Sequence, residues 1–168
     1  NLRGRILVKP KNNLTRPLKD MTKESIFNIL EHSKILNFDI KNSKILDVFS
    51  GSGSFGIECL SRGAKKVFFI ENYQVALDVL NTNINKLDLI RKTSLIKKDF
   101  FNVSSLNLDK NIFDLIFFDP PFKYSRVNEL LTNALKNNFL GKKTIIILHR
   151  HKKSKDNIPE IFEELEKK

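Results

Sequence analysis

The apolar run Phe113 to Phe118 (FDLIFF) stops at Asp119, Pro120, Pro121 and Phe122. Neither proline has a backbone N–H to give, so a sheet ladder ends abruptly there. The Asp119 carboxylate and the Pro120 carbonyl are then left at the strand's C-terminal edge, where open α/β sheets bind ligands. A carboxylate, a bare carbonyl and the Phe122 ring at one turn suit a flat substrate that carries an amino group. The two oxygens accept both N–H protons, and the ring stacks on the base. A strand that merely ends in a polar turn over a buried Phe would carry the same letters.

A second segment, Ser50-Gly51-Ser52-Gly53-Ser54-Phe55-Gly56, fits the pattern G-x-G-x-x-G between an expected strand and an expected helix. Its glycines let the backbone approach a ligand, and the helix start offers unpaired N–H groups. Glu71 ends the next apolar run about 20 residues on, where an acid accepts both ribose hydroxyls of an adenosine. Together they indicate an adenosine-containing cofactor. Asp47, four positions before Gly51, narrows the choice. A carboxylate there repels a dinucleotide pyrophosphate and suits a cation. S-adenosylmethionine, with its sulfonium and α-ammonium, is therefore favoured over NAD. The other reading of Asp47 is a cap on nearby loop amides. Asp99, at the end of a weaker strand, is either an acceptor for the adenine amino group or an ordinary turn residue.

The elements that must position these residues follow from short apolar runs alternating with amphipathic stretches. Strands are expected over Lys44–Phe49, Lys66–Glu71, Thr93–Lys98, Phe113–Asp119 and Lys143–His149. Helices are expected over Thr22–Leu36, with Ile26, Ile29, Leu30 and Ser33 inward, and over Phe55–Arg62, closed by Gly63. Further helices are marked by Leu77, Leu80, Ile84 and Leu87, and by Val127, Leu130, Leu131, Ala134 and Leu135. A last one is expected over Ile158–Lys168. Strands joined by helices imply parallel pairing with right-handed crossovers. Strands apolar on both faces imply helices on each side. The expected fold is thus a doubly wound, mostly parallel α/β sheet, Rossmann-like. One domain is expected, with a basic N-terminal arm over residues 1–20 and the α/β unit over 21–168. The arm lies outside the alternation, as a short hairpin or an extended stretch.

Composition bounds the class. The chain has 168 residues, 40% of them hydrophobic, which is enough for a core filled largely by Phe, Ile and Leu. Its single cysteine, Cys59, excludes an internal disulfide and a multi-cysteine zinc site. In an apolar helical stretch it reads as an inert buried thiol. No run approaches the length of a membrane span and no signal peptide is visible, so a cytoplasmic protein is expected. The formal net charge is +11. Arg3, Arg5, Lys9, Lys11, Arg16, Lys19 and Lys23 are opposed only by Asp20, and Lys142 to Lys155 carries six cations and no acid. A nucleic-acid surface explains this clustering better than solubility alone. Arg3, Arg5 and Arg16 are the candidates for RNA contact, although Arg16 can instead brace the active-site loop. His149 and His151, two apart at a strand end beside Arg150 and Lys152, read as a solvated or RNA-facing end rather than a metal site or a base.

Asp47 to Gly56, Glu71 and Asp119-Pro-Pro-Phe122 together resemble a class I S-adenosylmethionine-dependent methyltransferase. The Asp-Pro-Pro-Phe form resembles enzymes that methylate exocyclic amino nitrogens. More narrowly, the chain is similar to the bacterial RsmD-type methyltransferases, which make N2-methylguanine in 16S ribosomal RNA. Arg3-Gly4-Arg5 resembles that family's basic N-terminal signature. Arg16-Pro17, Asp20, Glu24 and Phe27-Asn28 resemble its next block, and Leu60-Ser61-Arg62-Gly63-Ala64 follows the glycine loop as in the family. The resemblance implies catalysis at Asp119, Pro120, Pro121 and Phe122, and S-adenosylmethionine held by Asp47, Ser50, Gly51, Gly53, Gly56, Glu71 and Asp99. It implies no metal. It also implies action on 16S rRNA in a partly assembled small subunit, near the P site; a monomer is expected.

Two departures stand out. Lys23 stands where the family often has Arg, and after Ile161 the family continues into two antiparallel strands. Here the chain stops at Lys168. The last hairpin is therefore expected to be missing, with a sheet edge exposed. The same Asp-Pro-Pro-Phe turn would also serve adenine N6 or a protein glutamine amide. A non-catalytic RNA-binding domain is a further alternative, and an NAD oxidoreductase would leave Asp119-Pro-Pro-Phe without a purpose.

Overall fold

The structure, a computed structural model, describes residues 5–9, 18–102, 112–121 and 124–165. Five strands form one parallel sheet: β1 (Lys44–Val48), β2 (Lys66–Ile70), β3 (Thr93–Ile96), β4 (Phe113–Phe118) and β5 (Leu140–Leu148). Their spatial order is β3-β2-β1-β4-β5. The order reverses between β1 and β4, which opens a crevice at their C-terminal ends. The helices are α1 (Asp20–His32), α2 (Ser54–Ser61), α3 (Gln74–Lys86) and α4 (Val127–Lys136). The doubly wound α/β fold expected from the alternating apolar runs is the fold observed.

Both sheet faces are covered, which is why the inner strands carry apolar residues on both faces. Ile45, Val67, Phe69, Leu115 and Phe117 pack with Ile26, Phe27 and Leu30 of α1, Phe55 and Cys59 of α2, and Leu80 and Ile84 of α3. Leu46, Val48, Phe68, Ile116 and Phe118 pack on the other face against Val127, Leu130, Leu131 and Ala134 of α4. Phe55 stacks on Phe117 with ring centroids 3.9 Å apart and on Phe27 at 5.3 Å. That column ties the start of α2 to the end of β4. Cys59 is fully buried, and burial pushes its thiol well up, so it is inert as expected.

Two expectations are corrected. α1 runs from Asp20 to His32 rather than from Thr22 to Leu36, because Ser33 turns extended at φ −70°, ψ 121°. Residues 158–165 form a turn and irregular chain instead of a helix. Glu160 has like charges at Glu163 and Glu164, on the same helical face, which disfavours an isolated short helix. Ile158 and Phe162 pack on the α4-side core from that irregular segment. The described part of the basic arm, residues 5–9, lies outside the strands and helices and is tied to α3. The Asn83 side chain on α3 accepts from the Val8 N–H at 2.8 Å and donates to the Val8 carbonyl at 3.1 Å.

Gly56 in α2 is closely packed within this frame. A Cβ there would fall 2.4 Å from Phe69 Cε1 and 2.7 Å from Val67 Cγ1, inside a closed core. Gly56→Ala should therefore destabilise the protein by about 1–3 kcal/mol, despite the better helix propensity of alanine. Urea unfolding of the two proteins measures this, and a gain in stability would contradict the packing described.

Candidate active site at the C-terminal sheet tips

The site is built where β1 hands over to α2. Asp47 lies in the central strand, level with Phe69 of β2 and Phe117 of β4. It is 1% exposed, and its Oδ2 accepts the Gly56 N–H at 3.0 Å. Gly56 is in the first turn of α2, whose N–H groups have no partner within the helix. No side chain caps α2 at Gly53, and its first turn carries no acid. Asp47 thus does the capping from β1, and its charge faces the positive end of the helix. Burial pushes its carboxyl well above the usual carboxylate range. The Gly56 bond opposes that shift, and the Asp119 and Glu71 charges add to it.

The loop between β1 and α2 turns through left-handed backbone at Phe49 (φ 59°), Gly51 (φ 54°) and Gly53 (φ 78°). For Phe49 this is a strained conformation of the kind that gathers at functional sites. Glu71 fixes the turn from the end of β2. Its Oε2 accepts the Gly51 N–H at 2.9 Å, and its Oε1 accepts those of Asn72 and Tyr73, each at 2.9 Å. A carboxylate has roughly four acceptor positions. A diol that took both Glu71 oxygens would therefore compete with one of these N–H groups. Ser50 accepts the Gly53 N–H through its carbonyl at 2.8 Å. The space over Gly51 is open, since a Cβ there would meet no atom within 4 Å.

Asp119 follows β4 and is brought beside this loop by the sheet. Its N–H donates to the Val48 carbonyl at 3.4 Å. Asp47, Phe49, Ser50, Gly51 and Asp119 line one cleft, with Leu18 at its edge. Pro120 is buried and Pro121 exposed. Asp99 stands at the tip after β3, where Oδ1 accepts the Phe101 N–H at 2.9 Å and Oδ2 accepts from Asn72 at 3.3 Å. It is therefore at least the turn residue that its sequence allowed. Arg5 is exposed. Arg3, Arg16 and Phe122 lie outside the described residues.

Four side chains at the site escaped sequence reasoning. His149 was expected at a solvated or RNA-facing end, with no partner foreseen, yet it is 24% exposed and its Nδ1 lies 2.7 Å from Asp119 Oδ1. His151 instead sits in a following turn, where its Nδ1 accepts the Lys153 N–H at 3.2 Å. Arg150 forks onto Asp156 at 3.0 and 3.1 Å and also donates to the Tyr124 carbonyl. Tyr124 packs on Phe49 with centroids 5.7 Å apart, and burial pushes its hydroxyl up to about 12. Asn83, fully buried, donates to the Ser52 carbonyl at 3.1 Å and so links the arm to the glycine loop. An Asn within a helical run gives no local sign of such a role. The i, i+2 histidines did give a signal, but the partner of His149 was 30 positions away.

The model of the family described as conserved hypothetical protein 95 matches residues 1–168. The chain belongs to this family, the RsmD family. It is 35% identical over 155 residues to ribosomal RNA small subunit methyltransferase D of Haemophilus influenzae, covering 89% of this chain and 75% of that one. It is 32% identical over 160 residues to the protein of the same name from Buchnera aphidicola, covering 95% and 79%. Among solved structures, a candidate methylase from Haemophilus influenzae superimposes with a TM-score of 0.68 at 30% identity, over 84% of each chain. A candidate methyltransferase from Escherichia coli gives 0.68 at 27% identity, over 83% of this chain and 70% of that one. RsmD membership bears out the resemblance read from the glycine loop and the Asp-Pro-Pro-Phe strand end.

Because its burial raises the Asp47 carboxyl, the linkage has a definite sign. The folded form holds this proton to higher pH than the unfolded form, so stability falls as pH rises above the unfolded carboxylate range. Asp47→Asn keeps an oxygen for the Gly56 N–H and removes the buried charge. The ligand-free variant should therefore melt higher than the parent at neutral pH, with the gap closing toward pH 4 or so. Thermal melts across pH check this, and a gap independent of pH would refute it.

Proposed function

We propose that this protein transfers a methyl group from S-adenosylmethionine to the exocyclic N2 amine of a guanine in 16S ribosomal RNA, on an assembling small subunit. One observation carries the reading. In a chain of net charge +11, Asp119 and the buried Asp47 line one cleft beside the open Gly51 backbone, and Glu71 fixes that loop from the neighbouring strand tip. A concave acidic cleft in a basic protein suits a small cation inside and a polyanion outside. The names of relatives at 32–35% identity support ribosomal RNA of the small subunit as the polyanion.

The residues present fit the cofactor. The charges acting on Asp47 are those of Asp119 and Glu71, so a ligand ammonium would relieve the cost of its burial. Gly51 leaves room for a ligand at the loop, and Glu71 and Asp99 stand at the tips of β2 and β3 for the ribose and adenine. When bound, S-adenosylmethionine would supply an electrophilic methyl carbon: as the amine nitrogen bonded to it the carbon–sulfur electron pair would stay on sulfur, and the extra N–H proton of the methylated cation would pass to solvent water. The work of the chain lies in preparing the amine. The guanine N2 lone pair is delocalised into the ring and is a poor nucleophile. Asp119 and the Pro120 carbonyl accept its two N–H protons, pyramidalise the nitrogen and localise the pair. They also stabilise the positive charge that develops on nitrogen. Phe122 stacks on the base, which must leave its RNA stack to reach the cleft. Holding the two reactants together supplies much of the acceleration.

Calorimetric titration with S-adenosylmethionine and with NAD tests the cofactor, and tight binding of NAD alone would overturn it. Labelled-methyl transfer to small-subunit particles, naked 16S RNA, DNA and protein tests the acceptor. Methyl on adenine N6 or a glutamine amide would replace the guanine reading, and cofactor binding without transfer would leave an RNA-binding domain. Asp119→Ala should keep cofactor affinity and lose about 100-fold or more in turnover. Undiminished turnover would remove Asp119 from the chemistry. RNA affinity should fall by about tenfold or more between 50 and 200 mM salt, and a flat response would reduce the cationic clusters to mere surface.

A further inference from the structure

His149 is placed by the sheet and not by a loop. Its N–H donates to the Phe118 carbonyl at 2.9 Å, one residue past the end of β5, so it stands level with the end of β4. From there its Nδ1 reaches Asp119 Oδ1 at 2.7 Å, with the two side chains 24% and 20% exposed. A carboxylate accepts and does not donate, so the proton of this bond belongs to Nδ1. A carboxylate at a strand end otherwise rotates about its side-chain torsions. Here one oxygen is tied from β5, while Asp119 lines the cleft with Asp47 and Gly51. Arg150, the next residue, holds both Asp156 and the Tyr124 carbonyl, which anchors the chain on either side of the pair.

We propose that His149 is a positioning residue for the reaction of this site: its Nδ1–H holds Asp119 Oδ1 and leaves Oδ2 aimed at the substrate amine. This rests on the methyl-transfer reading above. His149 touches neither the amine nor the methyl donor. It acts by fixing the acceptor that must align with the substrate N–H, where a small misplacement is costly.

The test compares His149→Leu, His149→Ala and His149→Asn in the full-length protein. Leu and Ala lack a donor, whereas the Asn side-chain amide can place an N–H near the position of Nδ1. Turnover is measured on small subunits that lack the methyl group, S-adenosylmethionine affinity by calorimetry, and folding by thermal melts. Loss of a charge-assisted bond predicts a fall in kcat of about 10- to 100-fold for Leu and Ala. S-adenosylmethionine Kd should stay within about twofold, and Asn should recover most of the rate. Parental turnover in a folded Leu or Ala variant would overturn the proposal. So would an Asn variant as slow as Ala, since a donor would then not matter. Two donor-free variants keep the comparison valid if one does not fold. A parent protein that methylates none of the acceptors would sink the functional reading itself, whereas an active parent with an equally active Ala variant sinks only the role of His149.

Discussion

A carboxylate buried in the central strand is the constraint around which the rest of this protein is arranged. Asp47 lies between two strands whose facing residues are Phe69 and Phe117, where an uncompensated charge is costly. The structure answers with the N-terminal turn of α2, which brings an unpaired N–H and the positive end of a helix to the carboxylate. For that turn to sit so close, α2 must press on β2, and a side chain at residue 56 would have to displace Phe69 and Val67. The glycine loop therefore has two physical purposes. It frees backbone at Gly51, and it lets a helix descend far enough to serve a buried acid.

A second acid completes the loop. Glu71 takes three backbone N–H groups, one from Gly51 and two from its own strand exit. The β1 and β2 tips are thus joined through a carboxylate that, in the proposed reaction, is shared with a ligand. Binding is then an exchange of partners and not the filling of a rigid cup. On the far side of the crevice, β5 plays the corresponding part for β4. It supplies His149 to Asp119, while Arg150 pins Tyr124 just after the Asp-Pro-Pro-Phe turn. Tyr124 in turn meets the Phe49 ring at the strained start of the glycine loop. That aromatic contact joins the two halves of the crevice in addition to the β1–β4 pairing.

Much of the fold was legible because its signals are local. Apolar runs of five or six residues, glycines at a strand exit and periodic leucines in α3 and α4 each declare an element without reference to the rest. Element ends were less legible. Ser33 ends α1 with no proline or glycine to mark it, and residues 158–165 carry enough Ile, Phe and Glu to resemble a helix. There the tertiary packing of Ile158 and Phe162, set against clustered acids, outweighs propensity. Asn83 shows the opposite failure. Its helix was correctly expected, but its buried amide holds Val8, 75 positions away, and no local pattern announces such a bond.

By itself the sequence determined that a parallel α/β sheet would form, that Asp47 would lie within the end of the first strand, and that Gly51, Glu71 and Asp119 would follow strand exits. Alternation and chain punctuation act over a few residues, so they can be read along the chain. Only the tertiary structure decided which of these groups meet. The order β3-β2-β1-β4-β5 makes β1 and β4 neighbours, and the register of β5 sets His149 against Asp119. Pairing register depends on how two faces of helices pack on the assembled sheet, and that information is spread over the whole core.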